Sequence, residues 1–168
     1  MGSMLVLMFA AFPALAAEKA EKIAVVDIQR VIFTSDVAKA RQKQLQADSE
    51  FVGLQAKYDS IAADVKALQK KIEAEHDTMT QEQATENQKK MEYLRADYDL
   101  VERKLRAEVQ QLQGKIMEEL QPKVQAALKE LVDAEGITLL LQREAVIVAD
   151  PSLDVTSKLL DRLNAKTK

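Results

Sequence analysis

Apolar residues fall alternately three and four apart at Phe51, Leu54, Tyr58, Ile61, Val65, Leu68 and Ile72. That spacing keeps one narrow stripe of a helix apolar, the seam of a coiled coil. Met91, Leu94, Tyr98, Val101 and Leu105 repeat it, and two such stripes most simply cover each other. The chain from Ser35 to about Gln121 therefore predicts one long helix, a tight reversal and a second long helix returning. Asp77-Thr78-Met79-Thr80 marks the reversal, because Thr80 with Gln83 three residues later forms a capping box that starts the second helix. Pairing outward from that tip sets Tyr58 near Tyr98, Ile61 near Leu94 and Phe51 near Leu105. An arm of roughly 40 residues rising ~1.5 Å each extends ~60 Å, so something must anchor its base.

The flanks supply that anchor. Ile23-Ala-Val-Val-Asp27 is a short continuous apolar run, as expected of a strand covered on both faces. Gln29 to Phe33 suits one or two helical turns, and Ser35 or Asp36 can cap the first long helix. Past Leu105 the apolar steps lengthen to four, at Val109, Leu112, Ile116, Leu120 and Val124. Such a stutter unwinds a supercoil and, with Gly114 and Pro122, marks where the returning helix leaves the arm and enters a globular base. The helix then continues through Leu128 and Leu131 to Gly136, a natural C-terminal stop. Ile137-Thr-Leu-Leu-Leu141 and Ala145-Val-Ile-Val-Ala149 read as two strands joined by a short loop. Asp154 is placed to cap a last helix with Val155, Leu159, Leu160 and Leu163 on one face. The fold class is thus α+β, with about three short strands, and the long hairpin is an insertion into a small body. Three strands leave open edges and faces, which predicts self-assembly through that body.

Residues 1–16 read as a residual tag and signal peptide: an apolar core from Leu5 to Phe12, then Ala14-Leu15-Ala16, a small-residue cleavage pattern. Cleavage after Ala16 predicts an exported protein. Residues 17–34 and 122–168 form the expected oligomerisation body, and 35–121 the arm.

Composition narrows the chemistry. Of 168 residues, 24 are Lys or Arg and 27 are Asp or Glu, a net charge of −3 that gives no field for nucleic acid. The absence of Cys excludes disulfides, thiol catalysis and thiolate metal sites. No catalytic set is legible, since the one His, His76, lies at the predicted tip, remote from any nucleophile. Glu73, Glu75 and Asp77 beside it alternate along the chain and so spread around a helix instead of converging on a metal. Enzyme activity, cofactors and metals are therefore not expected.

Taken together, Ile23-Ala-Val-Val-Asp27, a long charged helical hairpin, Gly136-Ile-Thr-Leu-Leu-Leu141, Ala145-Val-Ile-Val148 and Asp154-Val-Thr156 before a final helix with Leu159 and Leu163 resemble the Skp/OmpH family of periplasmic chaperones. The resemblance implies a homotrimer whose strands close a small β-barrel body, from which three coiled-coil hairpins hang around a cavity. It implies an ATP-independent holdase that keeps unfolded outer-membrane β-barrel proteins from aggregating in the periplasm. Ile23, Val25, Ile137, Leu139, Leu141, Val146 and Val148 are then the assembly residues. Relatives of this kind are strongly basic, whereas the arm here carries 14 basic and 16 acidic residues between Ala38 and Gln121, and no lipopolysaccharide or membrane contact can be matched residue by residue.

A holdase needs many weak contacts in place of one deep pocket. Apolar residues off the seam, Val52, Met79, Tyr93, Leu100 and Met117, are the client-contact candidates, each able to contribute at most ~1.5–3 kcal/mol if wholly buried. Gly53 inside the first helix costs ~1 kcal/mol of helical stability relative to Ala and is the expected arm hinge, the alternative being a close packing contact with the other helix. The competing function is a structural coiled-coil spacer or docking rod of the cell envelope, which would need an uninterrupted seam.

Overall fold

The computed structural model describes residues 21–168; the signal-peptide reading lies outside them. The elements run β1 (Ile23–Val26), α1 (Ile28–Thr34), α2 (Asp36–Ala47), α3 (Ser49–Glu75), α4 (Gln81–Glu135), β2 (Leu139–Gln142) and α5 (Thr156–Lys166), with 3₁₀ turns at Arg143–Ala145 and Pro151–Leu153. β1 and β2 pair in parallel, Ile23 opposite Leu139 and Val26 opposite Gln142. A parallel pair needs a long crossover, and here the crossover is the entire run from α1 to α4.

The outgoing arm is not one helix from Ser35. It breaks at Asp48, whose backbone is extended (φ −68°, ψ 130°). The Asp48 carboxylate accepts hydrogen bonds from the amides of Glu50 at 2.9 Å and Phe51 at 3.1 Å, while its own amide donates to the Leu45 carbonyl at 3.1 Å. A short acidic side chain that bonds the next turn's amides competes with helix continuation and starts a new helix instead. Ser35 acts similarly one helix earlier. Fully buried, its hydroxyl donates to the Ile32 carbonyl at 2.8 Å and accepts from the Ala38 amide at 3.2 Å, joining α1 to α2.

The tip forms as its sequence predicts. The Gln83 amide donates to Thr80 Oγ1 at 3.2 Å and the Thr80 amide to Gln83 Oε1 at 2.9 Å, a complete capping box. From there α4 runs 55 residues, ~80 Å at 1.5 Å per residue. Tyr58 on α3 meets Tyr98 on α4 with ring centroids 4.6 Å apart and their hydroxyls hydrogen-bonded. Along the same stripe Ile61, Leu68, Met91 and Val101 are buried. At its far end α4 stops at Gly136, which takes the left-handed conformation (φ 64°) that a residue with a Cβ adopts only with strain.

The main core lies beyond the arm. Ile116, Leu120, Val124, Ala127 and Leu131 form one face of α4 and pack with Ala24 and Val26 of β1, Val31 and Ile32 of α1, Ala38 of α2, and Leu159 and Leu163 of α5. Gly53 has nothing within 4 Å of where a Cβ would sit, so the close-packing alternative for it is excluded.

The expected third strand at Ala145–Ala149 does not form. The chain turns through Arg143–Ala145 and then runs without regular structure to Asp150. Ile147 is 99% exposed and Val148 85%; a strand needs a layer to cover it, and the chain lays none over that segment, although among the described residues no strand pairs with the outer edge of β2.

Leu131 is fully buried whereas Leu100 is 44% exposed on the arm. Leu131→Ala is expected to lower unfolding stability by about 2–5 kcal/mol, and Leu100→Ala to change it by no more than about 0.5 kcal/mol; equilibrium urea unfolding of both variants checks the contrast.

Candidate functional site

Among the described residues, two surfaces leave apolar groups in water. The first is built on the sheet. Paired residues in neighbouring strands point to the same side, so Ala24 and Val26 of β1, with Leu140 of β2, face the core. Ile23 and Leu139, also paired, face the other way and are 42% and 47% exposed. Leu141 is half-buried on that outer side, and Val146 is half-buried just after it. Exposed Ile147 and Val148 complete the set. Val25 and Ile137 differ: both are buried within the chain, at 2% and 7% exposure. Ile147, the most exposed large apolar residue, was not singled out from the sequence, because an alternating strand would have placed it opposite Val146 and Val148.

Polar clamps hold this sheet in place. The Val155 amide donates to the Val25 carbonyl at 2.9 Å, and the Asp27 amide donates to Thr156 Oγ1 at 3.0 Å. Asp154 accepts from the Thr156 amide at 2.8 Å, although the residue before α5 is Val155. The hydrogen bond from Thr156 holds the Asp154 carboxyl below its ordinary range, with Arg143 and Arg30 adding to the effect. Asp27 in turn accepts from the Arg30 amide at 2.8 Å and so caps α1. The short motif Asp154-Val155-Thr156 thus fastens β1 to α5.

A second clamp centres on Glu135 at the end of α4. Its carboxylate receives Lys158 Nζ at 2.8 Å and Lys22 Nζ at 2.7 Å, and Lys22 also donates to its carbonyl at 3.0 Å. The hydrogen bond from Lys158, then that from Lys22, lowers the Glu135 pKa from 4.5 to about 2. Three chain segments far apart in sequence meet on one carboxyl group.

The second surface lies along the arm. Val52 is 49% exposed and Tyr93 73%, and with Leu100 they remain open to solvent as the sequence predicts. Tyr93 and Leu100 are seven residues apart and share a side of α4. Val52 has company that the sequence did not announce: Val109 is also exposed, and the two line one open groove of about 770 Å³ with Leu45, Phe51 and Leu112 beside the Asp48 break. Val109 opens the series of four-residue steps where the sequence has the helix leave the arm for the base, and beside the break between α2 and α3 it stays uncovered. Two candidates fall elsewhere. Met117 packs against the main core, since the stutter rotates the buried face of α4 toward it, and Met79 is half-buried at the tip, where Asn87 Nδ2 donates to its sulfur at 3.5 Å.

The Tyr58 hydroxyl's hydrogen bond, more than burial or nearby charge, raises the Tyr98 pKa to about 12. Tyr98 stays neutral at ordinary pH, and the two rings serve packing. Among the described residues no group of three His, Cys, Asp or Glu side chains is placed to hold a metal ion, and no helix is long and apolar enough to cross a membrane.

The profile of the family described as outer membrane protein (OmpH-like) matches residues 22–163. The chain belongs to this Skp/OmpH family. It is 27% identical over 143 residues to the Skp-like protein of Pseudomonas aeruginosa, covering 85% of this chain and 84% of that one. It is 23% identical over 153 residues to the chaperone protein Skp of Yersinia enterocolitica, covering 91% and 92%. A crystal structure of an OmpH-like protein from Caulobacter crescentus aligns over 96% of this chain and 92% of that one at 21% identity, with a TM-score of 0.48. The family and the two Skp relatives support a chaperone role.

Glu135 is bound as a carboxylate in the folded chain, so its contribution is present above its ordinary pKa and is lost as pH falls through the folded value of about 2. Glu135→Gln should therefore lower the thermal midpoint at neutral pH, and its deficit relative to the unsubstituted chain should shrink steadily from about pH 5 downward; melting curves across that range measure it.

Proposed function

We propose that this protein is an ATP-independent holdase that receives unfolded outer-membrane β-barrel proteins in the periplasm and keeps them from aggregating. The observation that carries the reading is the distribution of exposed apolar side chains along the arm, Val52, Val109, Tyr93 and Leu100, none of them gathered into an enclosed pocket. Such a surface offers many shallow contacts. Each is weak, so a client can change shape while held and can leave without an energy source. The family and the named Skp relatives give the reading its class.

Assembly belongs to the same proposal. Ile23, Leu139, Ile147 and Val148 present an apolar surface that one protomer leaves uncovered, and a third strand from the Ala145–Ala149 run would gain its missing cover from another copy. A homotrimer closing a small barrel satisfies both needs, and three arms acting on one client raise the apparent affinity by multivalency. The arm then works as an antiparallel coiled coil that flexes. Its hinge region takes in the Asp48 break and Gly53, five residues further along, where open space surrounds the missing Cβ. A rigid spacer is less well served by a first arm that breaks near its base.

Diluting a urea-unfolded outer-membrane β-barrel protein into the mature chain and recording native mass tests the reading. A trimer carrying one client is expected, with no nucleotide added; precipitated client beside an unchanged oligomer would refute it. Ile147→Asp should shift the chain toward monomer and weaken client holding together.

A further inference from the structure

Tyr58 of α3 and Tyr98 of α4 stand 40 residues apart in sequence and meet on the arm with ring centroids 4.6 Å apart and planes tilted by 33°. Their hydroxyls are hydrogen-bonded to each other and so lie closer together than the ring centres. The rings therefore converge toward the ends that carry the hydroxyls and the ortho carbons beside them. Packing alone asks for no hydroxyl at either position: Leu54, Ile61, Leu94 and Val101 on the same stripe carry none, and a half-buried hydroxyl needs a polar partner that an apolar side chain does not.

The surroundings favour oxidation at this pair. Both rings are half-buried, and an open recess of about 320 Å³ lined by Tyr98 with Ala62, Val65 and Arg95 admits small solutes to the Tyr98 ring. The chain has no Cys and no Trp, so no thiol or indole competes for a one-electron oxidant, and the phenols are the most readily oxidised rings present. The third tyrosine, Tyr93, is 73% exposed and five residues from Tyr98, which puts it on a different side of α4.

We propose that Tyr58 and Tyr98 form a dityrosine cross-linking site, at which a peroxide-derived one-electron oxidant joins α3 to α4 covalently across the arm. Each phenol gives up one electron and its hydroxyl proton, leaving two phenoxyl radicals whose unpaired spin is shared with the ortho carbons. One carbon–carbon bond forms between an ortho carbon of each ring; the hydrogens on those two carbons leave as protons and the two oxygens regain theirs, which restores both phenols. The pair loses two electrons and two protons in all, and these reduce one hydrogen peroxide to two waters. Because the rings are already in contact, coupling is unimolecular and outpaces encounters between chains. The bond keeps α3 and α4 from parting between this point and the tip, taking conformational freedom from the opened arm and little from the closed one. This chemistry is independent of whether the arm holds clients.

Persulfate, a peroxide that accepts the two electrons, with light-excited ruthenium tris-bipyridine on the full chain is the direct probe. A chain lighter by two hydrogens is expected, with dityrosine fluorescence and a peptide joining Tyr58 to Tyr98 in the mass spectrum. In a mixture of isotope-labelled and unlabelled chains the link should fall within single chains, in a yield independent of concentration. Tyr58→Phe and Tyr98→Phe, which keep the ring packing, should each lower that yield at least about tenfold, and Tyr93→Phe should change it by less than about twofold; circular dichroism of each variant establishes that the arm still folds. Hydrogen exchange between residues 58 and 98 should slow at least about tenfold in the linked chain. Product that persists in Tyr58→Phe, links only between different chains, methionine oxidation as the sole change, or exchange indifferent to the link would each overturn the proposal.

Discussion

Two helices packed side by side can cover only one narrow stripe of each other, and everything else on them faces water or a third body. α4 meets that constraint in two ways along its length. Toward the tip its covered stripe is shared with α3, where Met91, Tyr98 and Val101 lie. Toward its end the covered face comprises Ile116, Leu120, Val124, Ala127 and Leu131, enclosed by β1, α1, α2 and α5. The thin part cannot stabilise itself by much, because so little area is removed from water per residue. The thick part must hold both, and its polar clamps at Glu135 and at Asp154-Val155-Thr156 tie the chain's two ends around the helix.

That division of labour explains where apolar residues are left over. In the arm they are scattered positions off the stripe, with one small gathering of Val52 and Val109 beside the Asp48 break, too few to form a core. Beside the sheet they form a compact set, because a two-stranded sheet buried on one side has nothing to lay over the other. The proposed functions draw on each in turn: dispersed contacts for a client that must not be gripped, and a contiguous face for copies of the same chain.

Much of this was legible from residue spacing. The capping box at Thr80 and Gln83, the Tyr58–Tyr98 register, the stop at Gly136 and the apolar face of α5 all rest on local rules that tertiary contacts reinforce. What escaped was governed by competition between local and distant terms. Asp48 reads as one more solvated charge until its carboxylate is seen to take the amides of Glu50 and Phe51. Met117 lies off the seam by counting, yet a series of four-residue steps turns the buried face of α4 and carries Met117 to the core. Ala145–Ala149 has the composition of a strand, but strand formation requires a covering layer as well as an edge, and no spacing within one chain reveals whether that layer comes from a copy.

Hydrogen exchange of the mature chain, free and loaded with an unfolded outer-membrane β-barrel protein, addresses the central claim that the arm's exposed apolar residues carry the client while the base stays fixed. The account predicts new protection in α3 around Val52 and in α4 from Tyr93 to Val109, with the amides of Ile116–Leu131 unchanged. Protection gained at the base alone, or none along either arm helix while client is bound, would contradict it.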